Sequence, residues 1–367
     1  MALGRGAVEG VGVDPAHWRG RRVLVTGHTG FKGSWACLWL TELGAEVTGF
    51  ALDPPTEPSL FAAAGVAERV DDRRGDVRDA ELVRALVADA RPEVVIHMAA
   101  QPLVRRSFDA PLATYEANVM GTANVLDALR AAPDARVAIV VTSDKCYEPR
   151  ADGSPCREDD PLGGADPYSS SKACAELVTG AYRRSFPGGP AIASARAGNV
   201  IGGGDWADDR LVPDAMRAAL AGGELLVRNP DAVRPWQHVL NPLSGYLELA
   251  QRLWDDPAAA GAWNLGPAAG DELPVRTIAD RLCELWGEGL GWRAEGDGGP
   301  PETAVLRLDS AKARGRLGWA PAWDLDAGLS ATVDWFRAVA GGARAADVCV
   351  RQIADHAAAR LKLAERR

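Results

Sequence analysis

Two short runs in this chain gather side chains able to move protons. In "PYSSSK", Tyr168 and Lys172 stand four residues apart, which on a helix puts them on one face. A phenol ionises near pH ~10, too high for a base at neutral pH. A neighbouring ammonium stabilises the phenolate and makes it a base for a hydroxyl proton. A lone YxxxK is common by chance, and most examples are structural. In the second run, "TSDKCY", an apolar stretch "ARVAIVV" ends at Thr142 and Ser143 and then delivers Asp144 and Lys145 side by side. An acid and an amine of different proton affinity suit paired acid–base work. The plain alternative is a surface ion pair.

Lysine usage sharpens both runs. Of 41 basic residues only five are lysine: Lys32, Lys145, Lys172, Lys312 and Lys362. Arginine keeps its proton in any protein environment, whereas lysine is tunable. Three of the five lysines fall inside the motifs described here.

The elements that must position these residues alternate strand and helix from residue 22. "RVLVT", "AEVTGFAL", "EVVIHMAA", "ARVAIVVTS" and "AIASARAGNV" read as strands. "GSWACLWLTELG", "DAELVRALVADARP", "YEANVMGTANVLDALRAA" and "PYSSSKACAELVTGAYRRSF" read as the helices between them. Continuous apolar strands alternating with helices predict an α/β fold, a doubly wound parallel sheet covered on both faces. Past residue 200 the elements shorten and Gly, Pro, Asp and Trp become frequent. "PLSGYLELAQRLW" predicts a helix and "AWNLG" a strand that rejoins the sheet, while "LPVRTIADRLCELWG" predicts a helix in a second lobe. The expected organisation is an N-terminal extension (1–20), a cofactor domain (21–200, rejoined by 236–268), a smaller α+β lobe (201–235 and 269–330) and a C-terminal helical segment (331–367).

Between the first strand and first helix lies "VLVTGHTGFKGSW", with Gly27, Gly30 and Gly33. Glycines there allow a tight turn and close approach to a pyrophosphate, and the helix N-terminus supplies free N–H groups. The loop Gly27–Gly33, including Thr29, Phe31 and Lys32, is therefore a candidate dinucleotide cradle. Lys32 either helps neutralise phosphate or is simply solvated. Asp53, about 20 residues on, is placed to bind the adenosine ribose and to repel a 2′-phosphate, which favours NAD over NADP. Asp76 either meets the adenine or is a plain loop residue. With a nicotinamide beside it, the Tyr168–Lys172 pair would pass a hydride from a sugar or alcohol to the cofactor.

Together with "HMAAQPLVR", "ARAGNVIGGGDWADDRLVPD", "RPWQHVLNPLSGYL" and "LDSAKARGRLGW", these motifs resemble, in order, the extended short-chain dehydrogenase/reductases over about residues 14–336. Within them "TSDKCY" and "GNVIGGGDW" resemble the nucleotide-sugar 4,6-dehydratases, the CDP-glucose group above all. The resemblance implies a Rossmann-like fold with a substrate-binding lobe, tightly held NAD and a homodimer formed through the Tyr168 helix and the helix at 115–131. It implies that Asp76 and Val77 flank the adenine, that Ala99, Ala100 and Gln101 line the cofactor cleft, with Gln101 also reaching the substrate, and that Asn118 steadies the catalytic helix. Ser143, Tyr168 and Lys172 would form the oxidoreductase triad. Asn199, Arg210 and Arg234 would hold the sugar-nucleotide diphosphate, with Trp206 either in the substrate lobe or packed. Asp144 would be the acid, kept protonated by burial, and Lys145 would stand at the base position. The stretch 298–310 departs from the family pattern, with Pro301 and Val305 where rings near the nucleotide are expected. The readings left open are a 4,6-dehydratase or 4-epimerase of another nucleoside diphosphate hexose, and a non-catalytic NAD(H) sensor. Asp144 and Lys145 argue against the epimerase, and the full catalytic set argues against the sensor.

The bulk numbers set outer bounds. A net charge of −9 with no long basic run speaks against a nucleic-acid partner. No apolar run reaches the roughly 18–20 residues of a membrane span, and "MALGRGAVEGVGVDPAHWRG" lacks the apolar core of a secretory signal. A cytoplasmic location is expected. Six cysteines without CxxC spacing predict free thiols and no metal site.

Overall fold

The computed structural model describes residues 12–150, 152–295 and 305–365. Its strands are β1 (Arg22–Thr26), β2 (Glu46–Ala51), β3 (Asp71–Arg74), β4 (Val94–His97), β5 (Val137–Val141), β6 (Ala191–Arg196), β7 (Val200–Ile201), β8 (Glu224–Val227), β9 (Val233–Pro235), β10 (Gln237–His238), β11 (Ala262–Asn264), β12 (Glu272–Pro274) and β13 (Gly291–Ala294). Seven of these form a sheet in the order β11-β6-β5-β4-β1-β2-β3, parallel at every pairing. The chain winds outward from β1 to β3, crosses back to β4 and winds outward the other way. The reversal between β1 and β4 opens a crevice at the carboxyl ends of the strands, where such sheets bind ligands.

Strand periodicity explains the double cover. Val23, Val25, Ile96 and Ile139 join one hydrophobic cluster, while Leu24, Val95, Ala138 and Val140 join another on the opposite face. The helices Ala80–Ala90 and Gly121–Leu129 cover the second face with Val83, Leu86, Val125 and Leu126. The helices Phe31–Glu42 and Leu240–Asp255 cover the first. β5 is buried at every position, which is why its sequence is an unbroken apolar run.

Beyond β6 the chain builds a smaller α+β lobe. β8 pairs with β13, β9 pairs antiparallel with β12, and the helices Leu211–Ala221 and Val275–Trp286 pack beside them. β11 returns to the main sheet beside β6. The fold is thus α/β and Rossmann-like, a doubly wound parallel sheet carrying a smaller lobe.

Two segments attach more closely than their sequence suggests. Within the N-terminal extension, Trp18 is fully buried, and its indole Nε1 donates to Gln251 Oε1 at 2.8 Å. The C-terminal segment comprises the helices Leu325–Ala340 and Ala345–Glu365. The first of these runs across the boundary expected at 331, because Asp324 caps it by accepting from Ala327 N at 2.9 Å. The second is anchored by a buried pair, Arg360 to Glu248 at 2.8 Å. Among the described residues, no helix is long and apolar enough to cross a membrane.

Candidate active site

The loop after β1 is built for a ligand's backbone-level approach. Gly27 has φ +77°, a conformation that favours glycine, and a Cβ there would lie 2.7 Å from Ala99 N. A Cβ at Gly33 would meet Gly27 O at 2.1 Å, so the first helix turn packs directly on the loop. Gly30 is the N-cap of helix Phe31–Glu42 and offers no side chain to the first-turn N–H groups. A Cβ on Gly30 would find only Gly27 O, at 3.4 Å. These uncapped donors beside a bare glycine surface fit a dinucleotide diphosphate. Thr29 Oγ1 donates to Leu52 O at 2.9 Å and pins the loop to the end of β2. Phe31 packs half-buried against the core.

Asp53 lies two residues past the end of β2, highly exposed, with Arg74 Nη1 3.5 Å away. Asp76 accepts from the backbone and guanidinium of Arg78, which hold its carboxyl below the usual range. Val77 is buried under Gly121, and its carbonyl accepts from Asn124 Nδ2 at 2.9 Å. On the other side of the crevice, Ala99, Ala100 and Gln101 follow β4 and are half-buried. Asn118 clasps this segment: Gln101 N donates to its Oδ1 at 2.8 Å, and its Nδ2 donates to Gln101 O at 3.1 Å and to Ser171 Oγ at 2.8 Å. Asn118 sits in a π turn, Glu116–Met120, a widening often found at functional sites.

β5 leads into the turn that carries Ser143, Asp144 and Lys145. Ser143 Oγ accepts from Lys145 N at 3.2 Å, capping the single turn Asp144–Cys146, and donates to Asp144 Oδ1 at 3.0 Å. Asp144 is buried, and its Oδ2 has no hydrogen-bond partner. Burial pushes its pKa up, against the opposing pull of Lys145, Ser143 and Arg234. Lys145 is half-buried beside it.

The facing helix, Pro167–Ser185, starts with Pro167 in its first turn and Asp166 as cap, accepting from Ser169 N at 2.8 Å. It buries both Tyr168 and Lys172. The sequence predicts a phenolate stabilised by its lysine neighbour together with a nicotinamide cation. From the protein's own groups alone, burial raises Tyr168 to about 12, and the nearby Ser143 hydroxyl is the leading influence in the other direction. Burial lowers Lys172 to about 8 despite the opposing charge of Glu176. The phenol therefore needs further positive charge in the cleft to ionise.

On the substrate side, Arg210 donates to Asp205 Oδ2 at 3.3 Å and exerts its charge on Tyr168 and Lys32. Arg234, on β9, is buried, donates to Val233 O at 3.0 Å and reaches Asp144 electrostatically. Asn199 is half-buried, with its carbonyl accepting from Gln237 N at 3.0 Å. Trp206 is a packed residue, edge-on to Phe336 at 5.0 Å between ring centroids. Asp144, Tyr168, Lys172, Arg210 and Arg234 thus share one cleft with Lys32. Asp53, Asp76 and Val77 lie apart, at the ends of β2 and β3. Val305 forms a bridge with Val233, and Pro301 lies outside the described residues.

Several residues escaped the sequence reading. Glu176, one turn beyond Lys172, binds Arg196 at 2.7 Å, Ser194 at 2.6 Å and Thr142 at 2.5 Å. Its spacing of four from Lys172 was the available signal. Tyr246 is fully buried within hydrogen-bonding distance of Lys32, and only the fold brings it there. A cavity of about 430 Å³ in the smaller lobe is lined by Asp209, Asp214, Leu225 and Arg228 among others.

Residues 23–266 match the NAD dependent epimerase/dehydratase family. A CDP-glucose 4,6-dehydratase of Salmonella typhimurium is 47% identical over 95% of this chain and 99% of its own length. A dTDP-glucose 4,6-dehydratase of Streptomyces antibioticus is 32% identical over 86% of this chain and 92% of its own. The solved structure of DesIV, a dTDP-glucose 4,6-dehydratase of Streptomyces venezuelae with NAD and TYD bound, superposes with a TM-score of 0.74 at 26% identity, covering 87% of this chain and 98% of that one. The motif resemblance, the doubly wound sheet and the family match agree: this chain belongs to the NAD dependent epimerase/dehydratase family, with NAD as its cofactor.

Proposed function

We propose that this protein converts CDP-glucose to CDP-4-keto-6-deoxyglucose, a hydro-lyase reaction that loses water across C5 and C6. The observation that carries the reading is Asp144: a buried carboxyl with one unpartnered oxygen, next to Lys145 and facing Tyr168 in the same cleft. An epimerase has no use for such an acid.

Tyr168, with the Ser143 hydroxyl near its phenol, takes the proton of the C4 hydroxyl. NAD, held by the Gly27–Gly33 loop, would supply hydride transfer from C4 and to C6 and the positive charge that favours the phenolate. The C4 carbonyl acidifies the C5 proton, since the carbanion spreads onto oxygen. Lys145 stands in the base position for that proton, and Asp144, kept neutral by burial, protonates the departing C6 hydroxyl. Arg210 and Arg234 supply the positive charge for the sugar-nucleotide diphosphate, with Asn199 beside them. The cytidine assignment is supported by the 47% identity to the Salmonella protein.

The protein acts in the cytoplasm as a homodimer in this proposal. Met120 and Leu177 are exposed by 54% and 60% on the two helices that would meet, and Leu112, on the short helix Pro111–Tyr115 just before them, by 76%. The deciding experiment incubates the protein with a panel of nucleoside diphosphate glucoses and reads the base-induced absorbance of a 4-keto product. Product from CDP-glucose alone supports the proposal. Product from another nucleotide reassigns the substrate, and a 4-epimer or no product overturns the dehydratase reading.

A further inference from the structure

The second residue of the phosphate-loop helix, Lys32, does not extend toward solvent. Its Nζ donates to the hydroxyl of Tyr246 at 3.4 Å and lies 5.7 Å from the centre of that ring. Tyr246 is fully buried on the helix Leu240–Asp255 and lies within electrostatic reach of Tyr168. The charged groups facing Lys32 are Arg210, Lys172, Asp144 and Asp205. The amine therefore sits in the stretch of cleft between the diphosphate cradle and the Tyr168–Lys172 pair. A phosphate clamp would need only the rim of the loop. A solvated lysine would not be drawn inward to a phenol.

The nicotinamide half of a dinucleotide held by the loop must cross this stretch to reach Tyr168. The oxidised ring is a cation and the reduced ring is neutral. A half-buried ammonium nearby repels the first and leaves the second untouched. We propose that Lys32, held in place by Tyr246, sets the redox balance of the bound cofactor by favouring its reduced form. Such a bias assists hydride removal from C4 at the expense of hydride return to C6, so the charge has to be moderate. Burial, then Arg210 and Lys172, lower this amine to about 7, with Asp144 and Asp205 opposing. A permanently charged arginine could not be moderated in this way.

The inference rests on the NAD-dependent reading of the cleft and not on the identity of the sugar. The test measures binding of NAD⁺ and of NADH, each alone, to cofactor-stripped protein at a pH of about 6.5, for the wild type, Lys32→Met and Lys32→Arg. Lys32→Met is expected to shift the ratio of the two dissociation constants about ten-fold toward NAD⁺. Lys32→Arg should keep or strengthen the wild-type preference for NADH. Should Lys32→Met bind neither form, Lys32→Gln, which keeps a donor for Tyr246 without the charge, decides in the same assay. Equal weakening of both forms would make Lys32 a phosphate contact and overturn the proposal, as would an unchanged ratio. Wild-type protein that bound neither form would overturn it together with the cofactor reading.

Discussion

Lys172 Nζ donates to the carbonyl oxygen of Val141 at 3.3 Å, tying the helix Pro167–Ser185 to the last residue of β5. The amine therefore does two things at once. It places positive charge beneath the cleft, and it fixes the distance between Tyr168 and the Ser143–Asp144–Lys145 turn. Lys172→Met should lower kcat by about 10²–10⁴-fold. Lys172→Arg, which keeps the charge on a wider head, should recover little of it, because a planar guanidinium cannot take the same place. Steady-state kinetics with both variants checks this, and a fully active Lys172→Arg would reduce the role to charge alone.

Tyr168→Phe removes the proposed proton acceptor without opening a cavity. Turnover should fall by at least about 10²-fold, while NAD affinity, measured by calorimetry, stays within about three-fold. Retention of normal turnover would remove the phenol from the chemistry.

Asp144→Asn separates two properties. Oxidation at C4 should proceed while loss of water slows. Borodeuteride quenching followed by mass spectrometry would then find hexose with deuterium at C4, the mark of a trapped carbonyl, and an intact C6 hydroxyl. Stability should move the other way. A carboxyl whose folded pKa is raised favours the folded state below its unfolded pKa of about 3.9, and that advantage fades as pH climbs through the folded value. The asparagine lacks this liability. Its melting temperature should exceed that of the wild type at about pH 8, by an amount equivalent to about 1 kcal/mol, and the gap should close toward about pH 4. A gap independent of pH would show that burial of charge is not the cause.

The pair Glu176–Arg196 is buried on both sides, and Ser194 and Thr142 complete the carboxylate's hydrogen bonds. Burial alone would raise the carboxyl, but the Arg196 hydrogen bond and charge outweigh it, and its pKa is lowered. Its stabilisation is present above the unfolded value of about 4.3 and is lost as pH falls through the folded one. Arg196→Met, which strands the carboxylate, should cost about 3–5 kcal/mol in chemical denaturation. Adding Glu176→Leu should restore most of it. If the double variant is as unstable as the single one, the pair is not the source of the loss.

The central sheet was legible because β1, β4, β5 and β6 are apolar at almost every position, and only a sheet buried on both faces permits that. The catalytic helix was legible because Asp166 and Pro167 mark its start and YSSSK fixes one face. β3 was not, since Asp71, Asp72, Arg73 and Arg74 show no apolar periodicity and become a strand only by pairing with β2. The strands of the smaller lobe are three or four residues long, too short for any period to declare itself. At the site, residue types named Tyr168, Lys172 and Asp144. The direction of the Tyr168 shift depends on burial, which no spacing reveals. Tyr246, more than 200 residues from Lys32, meets it only through the fold.

The charged run at β3 has a counterpart at the far side of the sheet. There β11 is covered where Asn264 N donates to Glu158 Oε1 at 2.9 Å. One border of the sheet repels an incoming strand by its charges, and the other is already occupied by the protein's own loop. Sheet-to-sheet growth between copies is therefore blocked at both margins, and this protects an exceptionally apolar set of strands from templating aggregates.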